Sequence, residues 1–157
     1  MTLLDLINAN LGIAHKVSRI YFRDAADRED AFQEMMYQIW RSYEKFDNRS
    51  KFSTWMYSVC LNTALTYVRK DKNKKVTESL SEKHDRVDEV NTNEERLELL
   101  AKQIETLSPV NKAVMLLYLE EMSYDEIASI MGITKSNVSV RIMRAKKELE
   151  EKLKDRL

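Results

Sequence analysis

The sequence has almost none of the residues that make turns between strands: two glycines and a single proline in 157 residues. Leu, Met, Glu, Lys and Arg take their place, all of them helix formers, and an all-α fold follows. The single cysteine, Cys60, excludes an intramolecular disulfide, and its expected place is a buried helix position. The longest apolar run, AVMLLYL over 113–119, is far shorter than a membrane span, and no charged segment followed by a long apolar stretch opens the chain. A cytoplasmic protein without membrane insertion is expected. His15 and His84 are the only histidines, no Gly-rich phosphate loop is present, and no Cys/His spacing suits a metal. Neither catalysis, nor a cofactor, nor a small-molecule substrate is therefore expected. The formal net charge is zero, which taken globally neither favours nor excludes a nucleic-acid partner.

The placement of charge says more. Residues 1–75 carry 13 basic and 9 acidic side chains, 76–107 carry 4 and 9, and 108–157 carry 9 and 8, so two basic blocks flank an acidic middle. Hydrophobic residues make up 43% of the chain and charged ones 33%, enough for one or two modest cores.

Apolar residues recur at three or four from Leu4 through Ile7, Leu11, Ala14 and Val17 to Tyr21, which predicts one amphipathic helix bent near Asn10 to Gly12. A second helix, with Asp27 as its N-cap, runs through Phe32, Met35, Met36, Ile39, Trp40 and Tyr43. FDNRS breaks the pattern, and a third helix runs from about Ser50 to Arg69. Residues 73–92 are charged and polar with little apolar periodicity and read as a flexible acidic linker between a domain at 1–72 and another at 93–157. In the second domain Leu97, Leu100, Ala101 and Ile104 mark a short helix, and Ser108-Pro109 supplies the cap and first-turn proline of the next.

The most specific pattern is SYDEIASIMGITKSNVSVRIMRAKKEL. Ser123 and Glu126 fit a capping box, Gly132 stands where a tight turn needs a left-handed residue, and Thr134 caps the next helix. This is a helix-turn-helix. On a helical wheel Val138, Ile142, Ala145 and Leu149 fall in one inward stripe, while Ser136, Val140, Met143, Arg144 and Lys147 lie opposite, with Lys135 and Ser139 near the N-terminal end. Exposed Val140 and Met143 suit thymine methyl groups in a major groove. Residues 132–147 hold five basic and no acidic side chains, suited to phosphates. A helical hairpin with a solvated basic face would not require cap, turn and charge to coincide.

The third helix opens with KFSTWMY. Phe52, Met56, Val59 and Thr63 define its core face, with Cys60 and Tyr67 beside them, and Trp55 falls on the flank above Asn62, Thr66 and Arg69. A ring, an amide, a hydroxyl and a guanidinium along one edge suit unpaired bases. Trp55 has a second reading, as the seal of the core edge. Residues 45–75 carry eight basic and two acidic side chains, which favours the nucleic-acid reading of the edge as a whole.

DREDAFQEMMYQIW, then FDNRSKFSTWMYSVCLNTALTYVRK, then LSPVNKAVMLLYLEEMSYDEIASIMGITKSNVSVRIMRAKKEL together resemble the two regions of a bacterial RNA polymerase sigma factor of the extracytoplasmic-function group of the sigma-70 family. The resemblance covers most of the chain. It implies an N-terminal three-helix region 2-like domain that grips core RNA polymerase and opens the minus-ten element, and a region 4-like domain that reads the minus-thirty-five element as duplex. It places Asp27, Asp30, Gln33 and Glu34 toward the polymerase clamp; the same carboxylates also suit a helix dipole. It makes Asn48, Arg49, Ser50 and Lys51 a pocket for a flipped non-template base, with Asn62 supplying a hydrogen-bonding edge. Many relatives have Asp where this chain has Thr66, which leaves the exact minus-ten preference open. The linker would thread the polymerase cleft, and an anti-sigma factor is a further partner that the exposed apolar side chains permit. The competing reading, a regulator that binds duplex DNA only, leaves the Asn62 edge unexplained.

Overall fold

A computed structural model describes residues 1–72 and 92–154, and these form eight α-helices, one 3-10 turn and no strand. The chain separates into two compact units, Met1–Lys74 and Lys75–Leu157. Apart from Thr92, the linker expected over 73–92 lies outside the described residues.

In the first unit, α1 (Leu3–Ala9) starts at a reciprocal cap in which the Asp5 amide donates to the Thr2 hydroxyl and the Thr2 amide to the Asp5 carboxylate. The bond from the Thr2 amide, with the Thr2 hydroxyl second, holds the Asp5 carboxyl below its ordinary range. Asn10 then ends the helix, its amide donating to the Ile7 carbonyl and its side chain to the Leu6 carbonyl. The single bent helix expected from periodicity is therefore two, and α2 (Leu11–Tyr21) buries Ile13, Ala14, Val17, Ser18 and Tyr21.

α3 (Ala25–Ser42) begins earlier than the sequence suggests. Its N-cap is Asp24, not Asp27, because the Asp24 carboxylate accepts from the Ala26 amide at 3.2 Å and Ala25-Ala26 extend the helix readily. Asp27 lies within the first turn, where its charge still meets the helix dipole. Ala31, Met35 and Ile39 form the buried stripe, whereas Trp40 is 69% exposed. A 3-10 turn at Tyr43–Lys45 leads through a loop to α4 (Phe52–Lys72).

α4 packs against both α2 and α3. Of the expected core residues, Phe52, Met56, Cys60 and Thr63 are buried, whereas Val59 and Tyr67 are half-buried and line a groove; Tyr57, Leu61 and Ala64 on the adjoining face are buried as well. A helix wedged between two partners needs a wider apolar arc than a single stripe. Thr63 is tolerated there because its hydroxyl donates to the Val59 carbonyl at 2.8 Å.

Burial pushes the Cys60 thiol up to about 12 from 9.0. Only the unfolded chain ionises between these values, so this contribution to stability is full below pH 9 and declines as pH rises toward 12. A thiolate-directed reagent at pH 8 is accordingly expected to label Cys60 slowly in the native protein and rapidly in denaturant. Equal rates would mean that the site opens to solvent.

In the second unit, α5 (Asn93–Ile104) is capped by Thr92 and packs through its C-terminal end, where Gln103 and Ile104 are buried while Leu97 stays exposed. α6 (Pro109–Leu119) has Ser108 as its cap, Pro109 in its first turn, and five consecutive buried residues, Ala113 to Leu117. A helix buried nearly all round is the centre of its unit. α7 (Tyr124–Met131) and α8 (Lys135–Leu153) complete it, and α8 packs against α5, α6 and α7. No helix among the described residues is long and apolar enough to cross a membrane.

Candidate nucleic-acid interface

The junction of α7 and α8 is fixed by three local devices. Ser123 and Glu126 form the expected reciprocal cap, with bonds of 3.1 and 3.2 Å. Gly132 is left-handed at φ 67°, and the amides of Gly132 and Ile133 both donate to the Ala128 carbonyl. The Thr134 hydroxyl accepts from the Asn137 amide at 3.1 Å and starts α8. A Cβ on Gly132 would meet no atom within 4 Å, so the demand for glycine there is purely conformational. Gly132→Ala is expected to cost about 1 kcal/mol in urea unfolding and Gly132→Asn less, since Asn tolerates this backbone better. An Ala variant as stable as wild type would show that the turn relaxes.

α8 then presents two faces. Val138, Ile142, Ala145 and Leu149 are buried, in agreement with the wheel. Ser136, Ser139, Val140, Met143, Arg144 and Lys147 are exposed, Met143 by 64%. The cations divide. Lys135 lies 3.5 Å from the Asp125 carboxylate in an exposed pair. Arg141 turns inward to Asn137 and Asn111. Lys146 donates to the Tyr118 hydroxyl at 2.6 Å, a bond that raises its pKa by favouring the charged form. Counting basic residues along the sequence cannot separate these roles, because the partners Asn111 and Tyr118 come from another helix.

In the first unit, residues 48–51 are exposed and form a tight loop: the Arg49 amide donates to the Asp47 carboxylate at 3.1 Å, the Arg49 guanidinium lies 3.0 Å from it, and Asn48 takes φ 60°. An Asn accepts that backbone at little cost. Next to the loop, Trp55 packs among Tyr43, Phe46 and Phe52, its ring 5.1 Å from that of Phe46. Trp55 is half-buried, so it seals this aromatic cluster and keeps open area beside the loop. Of its supports, Tyr43 ends the apolar pattern of the preceding helix, while Phe46 is not legible from periodicity because it stands at the break in that pattern.

Further along α4, Asn62, Thr66 and Lys70 line an open groove of about 580 Å³ against Glu34, Gln38 and Ser42 of α3. Thr66 donates its hydroxyl to the Asn62 carbonyl and Glu34 accepts from the Gln38 amide, while Asn62 and Arg69 are exposed. Seven residues of helix separate Trp55 from Asn62, an axial distance of about 10 Å. The expected single-strand surface is therefore in two parts, a loop with Trp55 and a groove with Asn62 and Thr66. The acidic start of α3 divides too: Asp30 and Gln33 are exposed, Asp27 and Glu34 half-buried, and Glu34 belongs to the groove. Tyr37 and Trp40 are exposed on α3, although Trp40 fits its apolar pattern; a wheel drawn against Met35 puts both off the buried stripe. No group of three or more His, Cys, Asp or Glu able to hold a metal occurs among the described residues.

Residues 6–74 match the family described as Sigma-70 region 2, and residues 97–149 match Sigma-70, region 4. An ECF RNA polymerase sigma-E factor of Haemophilus influenzae is 31% identical over 143 residues, covering 81% of this chain and 75% of the relative. The protein of the same name in Escherichia coli K12 is 28% identical over 155 residues, covering 88% and 81%. Among solved structures, the sigma factor RpoE of Bartonella quintana, in complex with the anti-sigma factor NepR, superposes with a TM-score of 0.66 at 21% identity, over 97% of this chain and 94% of that one. CnrH in complex with the cytosolic domain of CnrY gives the same score at 22% identity, over 96% and 86%.

Proposed function

The chain belongs to the extracytoplasmic-function RNA polymerase sigma factors of the sigma-70 family, and from that membership we propose how its surfaces divide the work of initiation. It directs promoter recognition, promoter melting and the start of transcription, with core RNA polymerase and promoter DNA as partners. The family acts by binding, and we assign this chain no covalent step. The observation that carries the reading is the coexistence in one chain of a region 2 match and of a helix-turn-helix whose outer face carries Val140 and Met143 between cations.

In this proposal residues 1–72 hold polymerase and the melted strand, residues 93–157 read the minus-thirty-five duplex, and 73–92 connect them. Lys135, Ser136, Ser139, Val140 and Met143 face base edges, with Arg144 and Lys147 on phosphates. Asn48, Arg49, Ser50 and Lys51 with Trp55 receive one flipped base. Asn62 and Thr66, starting about 10 Å beyond Trp55 along α4, serve another nucleotide, with Arg69 on the backbone. Asp27, Asp30, Gln33 and Glu34 meet the polymerase clamp, and Tyr37 and Trp40 extend that surface with apolar area. The setting is the cytoplasm, where polymerase works. Because a structural relative is held by an anti-sigma factor, such a partner is also proposed here.

Run-off transcription with core polymerase on a library of random upstream sequences tests this. Recovery of a shared upstream element and a second element near the start site is expected. Core polymerase that ignores the added chain would leave only the duplex-binding regulator.

A further inference from the structure

We propose that Arg141 is a positioning residue for upstream-element reading: it fixes α8 on the start of α6 and makes no contact with DNA itself. The inference rests on the sigma-factor reading and adds a residue that the exposed face does not contain. The Arg141 Nε donates to the Asn137 Oδ1 at 3.1 Å, one turn earlier on α8. Its Nη1 donates to the Asn111 Oδ1 at 3.0 Å, thirty residues away on α6. A guanidinium is planar, so two bonds in different directions fix its orientation as well as its distance.

The partners are themselves anchored. The Asn137 amide is held by the Thr134 cap, and the Asn111 amide donates to the Ser108 cap at 3.3 Å. Two helix starts are thus joined through one half-buried cation. Along α8, Arg141 neighbours the buried Val138 and Ala145 at helical spacing, which puts it beside the packed stripe and away from Val140 and Met143. Reading bases requires side chains placed to within a fraction of an ångström, and hydrophobic packing alone tolerates small slides of one helix on another. A directional tie between Arg141 and Asn111 removes that freedom. It also takes one cation away from phosphate binding.

The test uses holoenzyme, the full chain with core polymerase, on a promoter duplex recovered by the library selection and on the same duplex with its upstream element scrambled. Arg141→Met and Asn111→Leu are each expected to lower the preference for the selected element about tenfold, and the double variant no further than the worse single one. Loss of folded protein would weaken both duplexes alike and leave that ratio unchanged. Asn111→Asp keeps an acceptor and should retain the wild-type ratio. The salt dependence of binding should be unaltered in Arg141→Met, whereas Arg144→Ala should reduce its slope by about one. A slope reduced by about one in Arg141→Met would make it a phosphate contact and overturn the proposal. So would an Asn111→Leu variant with the wild-type ratio, or single losses that multiply in the double variant. If Arg141→Met does not fold, the contrast between Asn111→Leu and Asn111→Asp decides alone. A wild-type chain that directs no transcription would instead remove the parent reading.

Discussion

Asn62→Ala is expected to slow formation of the open promoter complex roughly tenfold to a hundredfold, the equivalent of about 1–3 kcal/mol for a lost base-edge contact. Polymerase binding should be largely kept, because the side chain is exposed on α4 and, of the four residues assigned to the clamp, only Glu34 lines the same groove. The substitution removes no buried volume, and it keeps the bond from the Thr66 hydroxyl, which goes to the Asn62 backbone carbonyl. Stability should therefore stay within about 0.5 kcal/mol, as for other surface substitutions. A stopped-flow signal from a dye near the start site gives the rate, and a template already unpaired over the minus-ten region supplies the control. If Asn62 helps the strand part, the control should restore most of the rate. An unchanged rate on duplex promoter would remove Asn62 from the strand-separating surface and leave the groove beside it without a role.

Ile142→Ala is expected to have the largest effect on the second unit. Ile142 is 2% exposed at the middle of the α8 stripe, and a buried Ile cut to Ala costs about 2–5 kcal/mol. A domain of this size is stable by only roughly 3–9 kcal/mol, so from about a quarter to all of the total is at stake. The melting temperature of that unit should fall by about 10–30 °C, and amide protection should decrease in α6 to α8. Amides of α2 to α4, whose core is built from other residues, serve as the internal reference. A shift of less than a few degrees would mean that Val138, Ala145 and Leu149 hold α8 without it. Unlike Asn62→Ala, this change should weaken the upstream contact while leaving the strand-separating surface intact.

The elements most legible in the sequence are those set by local chemistry. Ser108, Ser123 and Thr134 cap their helices where their spacing to the next amides says they should, and Gly132 takes the left-handed turn. These depend on neighbours three or four residues away, and the chain order contains them. The α8 stripe is legible for the same reason. The start of α3 shows the limit: Asp24 and Asp27 are both good caps, and the choice falls to the helix-forming Ala25-Ala26. Periodicity makes α4 look one-sided because it cannot say how many partners a helix has, and with two partners Tyr57, Leu61 and Ala64 are buried too. The site divides along the same line. The exposed residues of α8 follow from the wheel, while the turning of Arg141 to Asn111 and of Lys146 to Tyr118 depends on a neighbouring helix. The groove beside Asn62 likewise needs the packing of α3 against α4, which brings Glu34, Gln38 and Ser42 to its other side.

One measurement tests most directly whether a single chain both reads duplex and parts it. Core polymerase carrying this chain is bound to a promoter recovered from the library, and permanganate reactivity of each thymine is read along both strands. Reactive thymines should cluster over the minus-ten element and just downstream of it, with the upstream element protected and still paired. Polymerase that is bound at the promoter by this chain yet leaves every thymine unreactive would contradict the account.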